Sequence, residues 1–103
     1  MPAVIIFLIY IIMTHLEELK QKFNSGAFNK NLKGVIVSIK KAMTPNMLIA
    51  RVQFANTHTE GIAYYEEPEG FKEGQQVEFQ PSGVQSADED KTKGLLSGYI
   101  FPL

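Results

Sequence analysis

Gly34-Val35-Ile36-Val37-Ser38-Ile39-Lys40, then Thr44-Pro45-Asn46, then Met47-Leu48-Ile49-Ala50-Arg51-Val52-Gln53-Phe54, is the stretch that decides the fold. Apolar residues recur at period two in both runs, the spacing of half-buried strands. The first run places Val35, Val37 and Ile39 on one face, with Ser38 and Lys40 on the other. The second sends Leu48, Ala50, Val52 and Phe54 toward a core and leaves Arg51 and Gln53 outside. Proline presets φ and asparagine tolerates unusual dihedrals, so Thr44-Pro45-Asn46 turns one strand back on the other. The pair is a β-hairpin.

Downstream the same punctuation continues. Asn56-Thr57-His58-Thr59 reads as a loop and residues 61–65 as a third strand, closed by the acidic turn Glu66-Glu67-Pro68-Glu69-Gly70. A fourth strand covers residues 75–79, with Val77 and Phe79 alternating against Gln76 and Glu78, and stops at Pro81-Ser82-Gly83. Residues 86–93, centred on Asp88-Glu89-Asp90, read as a mobile loop. Residues 94–101 form the last strand, with Leu95, Ser97, Tyr99 and Phe101 on one face and Leu96, Gly98 and Ile100 on the other. Five short strands with closely spaced turns favour a barrel or sandwich over a βαβ design. Closing the sheet also removes the exposed edges such apolar strands would present. The expected fold class is all-β with a short N-terminal helix, a five-stranded antiparallel OB-type barrel over residues 33–103.

Ahead of the barrel lie two further segments. Thr14-His15-Leu16-Glu17 has the form of a capping box, in which hydroxyl and carboxylate satisfy free N–H groups reciprocally. Leu16, Leu19 and Phe23 share a helical face and Asn24-Ser25-Gly26 stops it, so residues 14–26 are a short helix. Residues 1–13 form an apolar segment whose residues 3–13 are unbroken. That run is shorter than the ~20 residues a bilayer-spanning helix needs. It also lacks the basic flank and small-residue cleavage site of a secretory signal. Its β-branched content suits a strand, and Met13 before the capping box suits a start extension; anchor, strand and extension stay open.

Composition narrows the chemistry. A chain of 103 residues with 45% apolar and 20% charged residues supports one ordinary globular domain. With no cysteine there is no disulfide or thiolate metal site, which fits a reducing, cytoplasmic setting. His15 and His58 are far apart in sequence, so no metal and no cofactor is expected. Nor is there a Gly-rich phosphate loop or a Gly-x-Ser-x-Gly elbow, so no catalytic residue is assigned and the chain is read as a non-enzyme. The net charge of −1 conceals a polarity: residues 19–59 hold seven Lys or Arg and no acid. Residues 60–90 hold nine carboxylates against Lys72 alone. Either one side of the fold is basic and attracts polyanions, or the two halves neutralise one another across it.

Two stretches resemble the bacterial cold-shock domain. Gly61-Ile62-Ala63-Tyr64-Tyr65-Glu66-Glu67-Pro68-Glu69-Gly70 is similar to that family's aromatic nucleic-acid-binding strand and following acidic turn. Gly70-Phe71-Lys72-Glu73-Gly74-Gln75-Gln76-Val77-Glu78-Phe79 is similar to the opening of its fourth strand, and Lys33-Gly34-Val35 to the start of its first. The resemblance covers about a quarter of the chain. The family's strand of phenylalanines and a histidine is absent, the first hairpin is longer, and Ile62 stands where an exposed aromatic is usual. What the resemblance implies is an OB-type barrel binding single-stranded DNA or RNA.

Such binding needs a basic groove for the backbone and aromatic faces for the bases. Lys33, Lys40, Lys41 and Arg51 are the candidate phosphate contacts. Tyr64 and Tyr65 are adjacent in a strand, so one faces out as a stacking candidate. Phe71 either stacks a base or plugs the barrel end. The expected function is a non-enzymatic single-strand-binding module of low sequence specificity. The alternative is an interaction or assembly module, a homo-oligomer or a membrane-associated protein held through residues 3–13, whose length argues against a membrane without removing that option.

Overall fold

The computed structural model describes residues 13–55 and 57–103. The readings of residues 3–12 as strand, anchor or extension, and Asn56 of the loop, lie outside these. One helix, α1 (His15–Asn24), precedes five strands: β1 (Leu32–Lys41), β2 (Met47–Phe54), β3 (Glu60–Glu66), β4 (Gln76–Ser86) and β5 (Gly94–Pro102). They close in the order β1-β2-β3-β5-β4. This is the OB-type barrel, with one amendment to the expected all-antiparallel sheet: β3 and β5 run parallel where Gly61, Ile62 and Ala63 meet Leu96, Ser97 and Gly98.

β1 makes closure possible because it serves two neighbours. Leu32 to Val35 pair with β4, while Gly34 to Lys41 pair with β2. Between Ile36 and Ser38 the β2 register shifts, leaving Val37 as a bulge. An extra residue inverts the alternation beyond it and bends the strand. The expected common face of Val35, Val37 and Ile39 is therefore split. Ile36 is fully buried, whereas Val35 and Val37 are exposed. Beyond the bulge Ile39 returns to the core side, partly buried.

β2 follows its alternation, with Ala50, Val52 and Phe54 buried and Leu48 packed against them. Asn46 takes the left-handed conformation in the turn, φ 65°. β4 does not stop at Pro81. It runs on to Ser86 through a second irregularity between Pro81 and Gly83. Past Phe79 this strand pairs only with β5, so the missing proline N–H breaks no ladder bond.

The interior holds Phe79, Ile36, Leu96, Val52 and Val77, all below 2% exposure. Phe71 caps the end where β4 begins, its ring edge-on to Tyr65 at 5.1 Å. At the end where β4 finishes and β5 starts, α1 covers the barrel with Leu19 and Phe23. Thr14 Oγ1 accepts from the Glu17 N–H at 3.2 Å, which is the N-cap half of the expected box. The helix is fastened to β5 by Leu16 N–H to the Thr92 carbonyl, 2.8 Å, and Gly94 N–H to His15 Nδ1, 2.9 Å. Gly94 allows this approach: a Cβ there would lie 3.0 Å from the Leu16 Cα and the Leu19 side chain.

Candidate functional site

Strand register places the outward residues of β1, β2 and β3 in rows. Lys40 lies opposite Ile49 and Ile49 opposite Tyr64; Ser38 lies opposite Arg51 and Arg51 opposite Ile62. With strands about 4.8 Å apart, Lys40 and Tyr64 stand roughly 10 Å from one another. Arg51 sits on the diagonal to Tyr64, roughly 7–8 Å away between backbones. Tyr64 is 51% exposed. Three of the expected site residues, Lys40, Arg51 and Tyr64, are thus brought together on one face.

The others are not. Tyr65 is 3% exposed and Phe71 7%, because both rings fill the barrel end, so neither offers a face for stacking. Burial pushes the Tyr65 phenol upward, with Glu69 and Glu67 adding to the effect. Lys33 lies on a different row, opposite Glu78, which in turn lies opposite Phe101. Lys41 sits opposite Leu48 at the mouth of the β1–β2 turn. His58 is exposed in the β2–β3 loop.

The loop between β4 and β5 lies over the same face and is not the free segment its composition suggested. Ala87 is fully buried and packs with Ile62 and Leu95 in a small outer cluster flanked by Ile49. Its N–H donates to the Lys93 carbonyl at 2.9 Å, and Asp90 accepts from the Thr92 N–H and hydroxyl. With the loop base held, its carboxylates reach the cations of the rows. Glu89 Oε1 is 2.6 Å from Arg51 Nη2, and Asp88 Oδ2 is 3.3 Å from Lys40 Nζ. Glu60 bridges Arg51 Nε at 2.8 Å and Lys93 Nζ at 3.0 Å.

The expected basic hairpin is accordingly corrected for Lys40 and Arg51. The acid-free half and the acid-rich half of the chain meet here and neutralise one another. Hydrogen bonding to Glu89 raises the Arg51 guanidinium further. Burial works to raise Glu60, yet bonds from Lys93 and Arg51 hold it below its usual range. The bond from Arg51 holds the Glu89 carboxylate down at about 2.

This last value sets a pH dependence. A carboxylate with a depressed folded-state pKa binds protons more readily when unfolded, so its contribution is complete above the unfolded value and fades as pH falls through the folded one. For Glu89 the fade runs from the model-peptide range near 4.5 down to about 2. Thermal melts across that interval should show a smaller acid-induced fall in Tm for Glu89→Gln than for the parent. Equal falls would remove Glu89 as a contributor.

Two features of this surface escape the linear reading. One is the set Glu60, Asp88 and Glu89, for which the only signal was the charge asymmetry itself. The other is a set of exposed apolar side chains on either side of β4: Val35 and Val37 on β1, Tyr99 and Phe101 on β5, and Leu103 just beyond it. Among the described residues, no group of three or more acidic or histidine side chains is placed to hold a metal ion. Among them, too, no helix is long and apolar enough to cross a membrane.

No family model, curated protein or solved structure matches the chain. The reading of the site rests on its own geometry.

Proposed function

We propose that this chain is a non-catalytic, OB-type module that binds single-stranded nucleic acid on the outer face of β1–β3, with little sequence preference. The row Lys40–Ile49–Tyr64, with Arg51 on the diagonal, carries the proposal. An exposed tyrosine flanked by cations offers a base a flat apolar partner and the neighbouring phosphates a charge, the two needs of a single strand. In OB barrels the face of the second and third strands, between the first and last hairpin loops, is the surface that takes oligonucleotides. The likeness of residues 61–79 to cold-shock domains points the same way. Stacking and charge contacts of this kind read no base edges, which is why low specificity is expected.

Fluorescence titration with a labelled single-stranded oligonucleotide at low and then moderate salt tests it. Counterion release makes affinity fall steeply as salt rises. Tyr64→Ala should weaken binding by about 1–3 kcal/mol, the contribution of one stacked base. The half-exposed ring leaves the melting temperature as a control on folding. Absence of binding by the parent at low salt would reject the proposal.

Val35, Val37 and Leu103, which line one largely apolar groove with Phe54, favour a second reading, self-association through this outer surface. Sedimentation over a rising concentration series reads it directly. A mass that stays monomeric removes it.

A further inference from the structure

The cations of the proposed strand-binding face are already occupied, and the occupants are of two kinds. Glu60 is held from both sides, by Arg51 and Lys93, and its side chain is only 23% exposed. Asp88 and Glu89 differ in exposure, at 76% and 51%; they come from a hairpin loop on the solvent side of the face, and the second cation near Asp88, Lys91 Nζ at 3.8 Å, belongs to that same loop. The loop base does not need to move for them to leave. Ala87 is buried against Ile62 and Leu95, and the Ala87–Lys93 and Asp90–Thr92 bonds hold the turn. Rotation of two exposed side chains is enough to free Lys40 and the Nη2 edge of Arg51.

The Lys40–Asp88 pair, exposed on both sides, also does little for the fold. Ion pairs between exposed side chains contribute little to stability, because water and salt screen them and the side chains lose freedom. Their placement has a more specific consequence. A carboxylate oxygen 2.6 Å from Arg51 Nη2 occupies the position a phosphate oxygen would take in a charge-assisted bond to the same nitrogen. Asp88 does the same at Lys40.

We propose that Asp88 and Glu89 form an acidic latch, two side chains that stand in for phosphates on Lys40 and Arg51 and must be displaced when a single strand binds. The inference rests on the single-strand reading of this face. It turns that reading from an open basic groove into a gated one. Short or weakly charged ligands fail to open the latch, whereas a strand long enough to stack on Tyr64 and contact both cations displaces both carboxylates at once.

The latch leaves a signature in the salt dependence. Neutralising bare cations with a single strand releases counterions, about 0.7 for each phosphate contacted. Carboxylates freed by displacement recruit cations and offset part of that release. The parent protein therefore shows a shallower slope of log affinity against log salt than a latch-free variant. The test compares Asp88→Asn/Glu89→Gln with a control, Glu17→Gln/Glu78→Gln, which loses the same two charges from α1 and from β4. The probe is a fluorescein-labelled oligothymidylate, and circular dichroism confirms equal folding.

Latch removal should tighten binding about fivefold or more at low salt and steepen the slope by about one unit, with the control changing neither by more than a fraction of this. Equal gains in both variants would mean that net charge alone is at work, and would overturn the latch. So would unchanged affinity and slope in Asp88→Asn/Glu89→Gln while the parent binds. Failure of the parent to bind at the lowest salt would instead reject the single-strand reading. The two failures are thus distinguishable.

Discussion

Phe79→Ala should lower the stability of the barrel by about 3–5 kcal/mol, the range for emptying a buried phenylalanine site. The ring is fully buried and stands edge-on to Phe54, with centroids 5.0 Å apart and planes at 67°. Its position touches both closures of the barrel. On β4, Phe79 pairs with Leu32 of β1 and Ile100 of β5, and its ring lies under Gly61 of β3. A cavity there cannot be filled by one neighbour moving inward, because those neighbours belong to strands tied to one another. Against a total stability of about 5–15 kcal/mol for a domain of this size, the loss leaves a marginal fold. Urea unfolding followed by far-ultraviolet circular dichroism measures it. A loss below about 1 kcal/mol would contradict the packing described.

The second large effect is expected from adding a single methyl. Gly98 pairs with Ala63 across the parallel β3–β5 contact and with Pro81 across β4–β5. A Cβ at this position would overlap the Gln80 carbonyl oxygen and lie 2.9 Å from the Phe79 ring. Overpacking of a core typically costs about 1–3 kcal/mol, where side chains can shift. Here the main obstacle is backbone, so Gly98→Ala belongs at or above the top of that range. Shortening the ring identifies the obstacle: Phe79→Leu relieves one contact and leaves the carbonyl in place. The double variant Phe79→Leu/Gly98→Ala should therefore remain well below Phe79→Leu alone in urea midpoint. Full recovery of Gly98→Ala in the Phe79→Leu background would place the conflict on the ring instead.

These two positions also mark where linear reading works and where it fails. Strand existence and the inward set of β2 were legible because period-two alternation is a local property of the residues involved. The phase of β1 was not, since a single extra residue at Val37 reverses every side chain after it and leaves no trace in composition. Pro81 reads as a stop because proline interrupts ladders, but a strand lacking a neighbour on that side has no bond to lose. For the Tyr64–Tyr65 pair alternation allowed two solutions. Ile62 could not break the tie, being buried on the outer face beneath Ala87 rather than in the barrel. At the site, Lys40, Arg51 and Tyr64 were legible as types. Their neutralisation by Asp88 and Glu89 depends on pairs separated by tens of residues, which only the folded loop brings together.

The docking of α1 on β5 reaches beyond statics. His15 and Gly94 are 79 positions apart, and their bond joins the first element of the described chain to the last. During synthesis α1 and β1 leave the ribosome long before the strand that buries Leu19 and completes the pairing of β4 exists. Until β5 follows, the helix has only β4 to pack on, and the side of β4 that pairs with β5 stays open. Such long-range closure makes folding slow relative to a helical bundle of equal length and ties its decisive step to the emergence of β5. A ribosome-bound chain arrested before β5 is thus the form most exposed to aggregation and most in need of a chaperone.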